Sequence, residues 1–358
     1  MTRLLVVAAG TGGHVYPALA VAERLRSMGV DVSWLGTAVG IESRLVPAAG
    51  FPFHVSKVAG LRGKGIARWL AAPLLLLRSA LRSVAVLARV RPHVVLGMGG
   101  YGAGPGGLVA RLLGVPLVIH EQNAVPGLTN RVLARLATRV LEAFPSSFAA
   151  ARRAIHTGNP VREELARAPA PETRLAHRGD RLRVLVIGGS QGARVLNEVV
   201  PRALAMESLA AKVTVRHQCG PAHVDAARDG YAALGVGAQV TGYIEDMGAA
   251  YAWTDVAVCR AGAMTVAELA AVGVASILVP FPYATDDHQH RNARWLADRG
   301  AAHLLAEDRL DAGSLAALLD ALHGNRERIG AMSRAAYDAA VRDATQRVAD
   351  HCLEVARA

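Results

Sequence analysis

Short apolar runs recur along the chain, each closing on glycine or a polar turn and each followed by a stretch with helical spacing. They are 3-RLLVVAA-9, 94-VVLGM-98, 115-VPLVIH-120, 183-RVLVI-187, 212-KVTVR-216, 256-VAVCR-260 and 276-SILVP-280. A strand covered on both faces has no reason to alternate polar and apolar residues, so these runs predict buried parallel strands. Strands alternating with helices build right-handed βαβ units and an open doubly wound sheet, which takes its ligands at the carboxyl ends of the strands. The pattern of strand, glycine turn and long helix occurs twice at the same spacing, at 3–25 and at 181–204. The fold expected is therefore α/β with two Rossmann-like domains, 1–162 and 163–340. The segment 165-LARAPAPETRLAHRGD-180 lacks a sustained apolar period and reads as a linker or surface loop. Residues 341–358 read as a further helix, with Asp343 and Thr345 as start signals, returning to the first domain.

At 358 residues the chain is long enough for two domains with cores of their own. The net charge of +11 arises from 37 Arg and only 3 Lys spread along the sequence. Such an excess favours anionic partners, whether phosphorylated substrates, nucleic acid or acidic lipid, without choosing among them. Cys219, Cys259 and Cys352 form no CxxC pair, which points away from a zinc site or a disulfide framework and fits a reducing compartment. The run after Met1 is too short for a signal peptide. The longest apolar run, 69-WLAAPLLLL-77, falls well below the roughly 20 residues that span a bilayer.

Three glycine turns stand at strand ends: 10-GTGGH-14, 97-GMGGYGAGPGG-107 and 188-GGSQGA-193. A glycine turn that opens a helix brings backbone N–H groups close to an anion, and the helix dipole adds partial positive charge. Gly97, Gly99 and Gly102, with Glu121 following the last of them by 19 residues, fit the dinucleotide pattern GxGxxG. A nicotinamide-dependent oxidoreductase is therefore one reading, although the turns opening the two halves do not share that pattern. No GK[ST] and no DxD occurs, so neither a P-loop nor the usual metal clamp of sugar-nucleotide enzymes is suggested. In 260-RAGAMTVAEL-269 small residues begin a helix, and Glu268 follows where a carboxylate accepts hydrogen bonds from a ribose diol. The polar cluster 285-TDDHQHRNA-293 suits a sugar or a catalytic base, and its His288 and His290 read as solvated loop residues rather than metal ligands.

Taken together, GTGGHVYP, GMGGY, HEQN, GNPVR, GGSQGA, RAGAMTVAE and DDHQ…NA occur in the order and spacing of one family. Over nearly its whole length the chain resembles the MurG family, the N-acetylglucosaminyltransferases of peptidoglycan synthesis. The resemblance implies the GT-B architecture, two Rossmann-like domains facing a cleft, the second of them binding the UDP-sugar. It also implies inverting transfer of N-acetylglucosamine from UDP-N-acetylglucosamine to undecaprenyl-pyrophosphoryl-muramyl-pentapeptide, with no metal and no cofactor. Thr11, Gly12 and Gly13 would then lie beside the sugar and diphosphate, Asn123 would bond the sugar hydroxyls, and Arg162 and Ser190 would hold diphosphate oxygens. The backbone of Ile244 would read uracil. Ala263, Met264, Thr265, Val266, Ala267 and Glu268 would line the diphosphate and ribose, and Gln289 would reach the sugar. His14, Tyr101 and Glu121 would line the acceptor side. Ala9 replaces a glycine usual in the family, Ala261 a serine, and His288 a glutamine found in some members, which leaves the sugar contact at 288 open.

Inverting displacement needs a base for the acceptor hydroxyl. His14 is one candidate, since an imidazole with a reference pKa near 6.5 suits that task at neutral pH. Glu121 is its rival or its orienting partner. The partners implied further are an anionic membrane surface, at the cytoplasmic face of the bacterial inner membrane, and other cell-wall synthesis proteins, with no nucleic acid. From Arg68 to Arg91 the chain is apolar with recurrent arginine; as a helix it gathers Arg68, Arg78, Arg82 and Arg89 on one arc opposite Leu, Val and Ala, with Pro73 as a kink or as the true start. That stripe and the loop 60-GLRGKG-65 are the expected membrane contact. A non-catalytic sugar-nucleotide sensor remains a third reading.

Overall fold

The computed structural model describes residues 1–56, 66–100, 102–176, 178–209 and 211–357, and of 66–73 the backbone alone. Tyr101 and the loop 60-GLRGKG-65 lie outside the described residues, as does the side chain of Arg68. The chain divides into two compact units: Met1–Arg162 with Val341–Ala358, and Glu163–Ala340.

Unit 1 holds strands β1 (Arg3–Val7), β2 (Asp31–Thr37), β3 (Phe53–Ser56), β4 (Val94–Gly97), β5 (Leu117–Glu121), β6 (Arg139–Glu142) and β7 (Ile155–His156). They form one all-parallel sheet in the order β3-β2-β1-β4-β5-β6-β7. Its helices are α1 (Gly12–Ser27), α2 (Glu42–Ala48), α3 (Ile66–Val90), α4 (Ala103–Leu112) and α5 (Leu128–Leu133). Unit 2 begins with α6 (Glu163–Ala166) and α7 (Pro171–Leu175). Its strands are β8 (Leu182–Ile187), β9 (Val213–Gln218), β10 (Ala238–Thr241), β11 (Val256–Cys259), β12 (Ala275–Leu278) and β13 (Ala302–Leu304). They are again parallel, in the order β10-β9-β8-β11-β12-β13. Around them run α8 (Arg194–Leu204), α9 (Val224–Ala233), α10 (Met247–Trp253), α11 (Ala263–Val272), α12 (His288–Ala297), α13 (Ala312–His323) and α14 (Arg326–Ala339). The last helix, α15 (Ala344–Arg357), belongs to unit 1.

Both sheets are doubly wound, and successive strand residues supply opposite faces. In unit 1, Leu4, Val6, Trp34, Leu96 and Met98 pack on one side with α1 and with Val348, Ala349 and Cys352 of α15. Leu5, Val7, Leu35, Val95 and Ile119 pack on the other with Val86 and Leu87 of α3 and Leu133 of α5. The order of strands reverses beside β1 in one sheet and beside β8 in the other, so in unit 1 the carboxyl ends of β1 and β4, and in unit 2 those of β8 and β11, each frame a crevice of the kind where such sheets bind ligands. The three glycine turns and 260-RAGAM-264 all follow those four strands.

Two sequence expectations change. The segment 165–180 is not a bare linker: Leu165, Pro171 and Arg174 are buried, and the Arg174 guanidinium donates to the carbonyls of Thr254 and Gly273. Burial is the main cause that holds Arg174 down to about 10. Helix α3 passes through Pro73 from Ile66 onward. Its buried positions include Ser79 and Ser83, with the Ser79 hydroxyl 2.9 Å from that of Ser56, whereas Leu74, Leu77 and Leu81 are exposed beside Arg78 and Arg82. Arg78, Arg82 and Arg89 do face water, but much of the described leucine does too.

Candidate active site

In unit 1 the glycine turn leaves β1 and enters α1 with Thr11 as N-cap in extended conformation; its side chain makes no capping bond. The first N–H groups of a helix have no intrahelical acceptor, so this end is suited to an anion. Below the turn sits Glu42, fully buried: one carboxylate oxygen accepts from the hydroxyl (2.6 Å) and N–H (3.0 Å) of Thr37, the other from the N–H of Gly10 at 3.1 Å. The neighbouring turn after β4 lies so close that a Cβ on Gly100 would stand 2.0 Å from the carbonyl oxygen of Ala9; its φ of +79° also requires glycine. At Gly99, with φ of +85°, a Cβ would meet the His14 ring at 3.0 Å.

His14 is half-buried, and its Nδ1 lies 3.0 Å from Oε1 of the buried Gln122. Glu121, at the end of β5, is buried and surrounded by donors. Its Oε1 accepts from the N–H (2.9 Å) and Nδ2 (3.2 Å) of Asn123, and its Oε2 from the N–H of Gly127 (3.1 Å) and Nδ2 of Asn130 (2.9 Å). This carboxylate fixes the loop that presents Asn123. Arg162 closes the first stretch of unit 1. Thr11, Gly12, Gly13, His14, Glu121 and Asn123 thus gather at the carboxyl edge of one sheet.

In unit 2 the exposed Ser190 stands in the turn after β8, and Gln218 ties that turn in place. Gln218 Oε1 accepts from the N–H of Gly189 (3.0 Å), and its Nε2 donates to the carbonyls of Gly189 (2.8 Å) and Gly242 (2.9 Å), two residues before Ile244. Helix α11 starts after Gly262 with no side-chain cap, and buried Asn292 donates to the Ala261 carbonyl at 3.2 Å. Glu268 is half-buried, and its Oε2 accepts from the hydroxyl of the buried Tyr251 at 3.0 Å, which orients the carboxylate. Gln289 accepts from the N–H of Phe281 at 3.0 Å, and His288 Nδ1 donates to the Thr285 carbonyl at 2.7 Å. Arg260 pairs with Glu307 at 2.5 Å and donates to the carbonyls of Val279 and Pro280. Among the described residues no cluster of three or more His, Cys, Asp or Glu side chains could hold a metal ion.

Residues 4–142 match the glycosyltransferase family 28 N-terminal domain and residues 183–348 the glycosyltransferase family 28 C-terminal domain. A protein of Aeromonas hydrophila, named UDP-N-acetylglucosamine--N-acetylmuramyl-(pentapeptide) pyrophosphoryl-undecaprenol N-acetylglucosamine transferase, is 53% identical over 99% of this chain and 97% of its own. A protein of the same name from Thiobacillus denitrificans is 54% identical over 99% and 98%. The crystal structure of Acinetobacter baumannii MurG superposes with a TM-score of 0.85 at 40% identity, covering 99% of this chain and all of that one. This chain belongs to glycosyltransferase family 28 and, within it, to the MurG family. Its two parallel-sheet units are the two halves of the GT-B architecture. Within this MurG-family frame the quoted motifs marked the turns, whereas Glu42, Gln218 and Tyr251 lie outside them, and Gln122, inside HEQN, was assigned no role. They act through hydrogen bonds to residues distant in sequence, as between Gln122 and His14, 108 positions apart.

Proposed function

We propose that this protein transfers N-acetylglucosamine from UDP-N-acetylglucosamine to the lipid-linked muramyl-pentapeptide, forming the disaccharide lipid of peptidoglycan synthesis. The observation that carries this reading is near-full-length likeness, at more than half of all positions, to proteins named for that transfer. His14 is the base that takes the acceptor hydroxyl proton as the anomeric carbon is attacked. Glu121, with both oxygens engaged by four donors, serves as organiser of the Asn123 loop and not as the base. The same saturation argues against a nicotinamide cofactor, which would need that carboxylate for its ribose.

The remaining roles follow the family pattern. Thr11, Gly12, Gly13, Arg162, Ser190 and the segment Ala263–Ala267 face the diphosphate, whose charge is met by helix N-termini and arginine without a metal. Glu268 bonds the ribose, the Ile244 backbone reads uracil, and Asn123 and Gln289 hold the sugar. Tyr101 lines the acceptor side.

The acceptor's lipid tail calls for a membrane-facing surface. Among the described residues no helix is long and apolar enough to cross a membrane. The exposed face of α3, with Leu74, Leu77 and Leu81 beside Arg78 and Arg82, suits peripheral docking on the anionic cytoplasmic leaflet.

Release of UDP from UDP-N-acetylglucosamine, followed with and without the lipid-linked muramyl acceptor and in the presence of a chelator, tests the reading. Acceptor-dependent, chelator-resistant release is expected. Binding of the donor with no acceptor-dependent release would leave a sensor instead of an enzyme.

A further inference from the structure

An imidazole acts as a base only through the nitrogen that lacks a proton, so which tautomer His14 adopts decides whether it can serve. Hydrogen-bond chemistry along a chain of four residues in unit 1 answers this. The Gly158 carbonyl only accepts, so His120 Nε2, 2.9 Å away, carries a proton. Burial holds His120 down to about 4, so the ring is neutral at working pH and its Nδ1 is a lone-pair acceptor. Gln122 Nε2 lies 3.3 Å from that Nδ1 and 3.3 Å from the His120 carbonyl oxygen. Both are acceptors, so this atom of Gln122 is the NH2 group and the other is the oxygen. Gln122 Oε1 in turn stands 3.0 Å from His14 Nδ1, which must therefore donate.

We propose that Gln122 is a positioning residue that locks His14 in its Nδ1–H tautomer and leaves the lone pair on Nε2. Among the described residues nothing hydrogen-bonds His14 Nε2, so that lone pair is not spent inside the protein. The Nδ1–Cε1 edge of the ring faces Gly99, where a Cβ would stand 3.0 Å from both atoms, so only glycine leaves the ring room in this position. Gln122 is itself anchored, being 1% exposed, with its backbone carbonyl accepting from Asn159 Nδ2 at 2.9 Å. An amide is required at this place. A carboxylate would also accept from His14, but it would turn an acceptor toward the two acceptors of His120. The logic is that of an orienting group in a nucleophile–base constellation, with a neutral amide in the place of a carboxylate.

This inference rests on the reading of His14 as the base, and the test separates the two. Ring 15N NMR of the full-length protein labelled in histidine, with the His14 signals assigned by their loss in His14→Ala, reports the tautomer directly. The parent is expected to show Nδ1–H at a pH where the ring is neutral. Gln122→Met, of similar size but unable to accept from His14, should move the ring toward Nε2–H, the form imidazole favours in water. Its kcat should fall by about tenfold to a thousandfold while the Michaelis constant for the UDP-sugar stays within about twofold. An Nε2–H tautomer in the parent, or an unchanged tautomer in Gln122→Met, would overturn the role of Gln122 whatever the kinetics show. An Nδ1–H parent together with a fully active His14→Ala would sustain the tautomer assignment and remove the base.

Discussion

Replacing Glu42 by Gln keeps the volume of the side chain and removes one acceptor, so it isolates what this carboxylate does for the turn carrying Thr11 to His14. The oxygens of Glu42 meet three donors, two from Thr37 and one from Gly10, with no water-exposed surface. The amide of Gln has one oxygen for one side and turns its NH2 toward the other. The structure favours the oxygen on Thr37, where two donors converge, which leaves the Gly10 N–H facing another donor. A hydrogen bond to a charged group contributes about 1.5–3 kcal/mol, and a buried orphan donor costs about 1–3 kcal/mol; allowing for overlap, unit 1 should lose about 2–4 kcal/mol. At about 1.4 kcal/mol per factor of ten, that is roughly a thirty- to thousandfold faster opening. Amide hydrogen exchange read by mass spectrometry on peptides spanning β1 to α1 measures it, with peptides spanning β8 to α8 in unit 2 as internal reference. Exchange unchanged within about threefold in unit 1, or accelerated equally in unit 2, would refute the reasoning.

Glu268→Ala should raise the Michaelis constant for the UDP-sugar strongly and change kcat less, since a ribose contact is made alike in ground and transition states, while His14→Ala should cut kcat by roughly 10²–10⁴ with donor binding nearly intact; steady-state kinetics of both variants check the pair. Burial holds both His120 and His217 down to about 4, so below about pH 6.5 the unfolded chain takes up protons that the folded one refuses. Stability should therefore be complete above about pH 7 and be lost as pH falls toward 4, by about 3 kcal/mol per ring. Urea titrations across this window check it, and His217→Phe should flatten the share of unit 2. Arg78→Glu combined with Arg82→Glu should weaken salt-sensitive cosedimentation with anionic vesicles while sparing UDP binding, at about 1 kcal/mol per basic residue reversed or lost; cosedimentation equal to the parent would move the membrane face elsewhere.

The doubly wound sheets were legible because buried parallel strands read as unbroken apolar runs, and because the glycine turns mark their carboxyl ends. Of the strands that escaped notice, most are short, such as Phe53–Ser56, Ile155–His156 and Ala302–Leu304, where two to four residues leave no period to read, whereas the seven-residue Asp31–Thr37, DVSWLGT, is broken by polar and glycine positions and so shows no apolar run. The segment 165–180 looked like a linker because its anchor is polar and distant: Arg174 reaches the Gly273 carbonyl 99 positions away. On α3 the arginine arc was visible, but the inward turn of Ser79 depends on its hydroxyl meeting that of Ser56, 23 positions away, while the Ser83 hydroxyl donates to the Ser79 carbonyl one turn back. Site motifs likewise named the residues that would face substrate. They were silent on Glu42, Gln218 and Tyr251, which show no local pattern of their own, and HEQN contained Gln122 without telling that it bonds His14.

Inverting transfer to a lipid-linked sugar is reported most directly by the anomeric proton of the product. The donor carries its N-acetylglucosamine in the α configuration. NMR of the lipid product formed by the full-length protein should show one added N-acetylglucosamine in the β configuration. An α-linked product, or an acceptor recovered unchanged after incubation with the donor, would contradict the account.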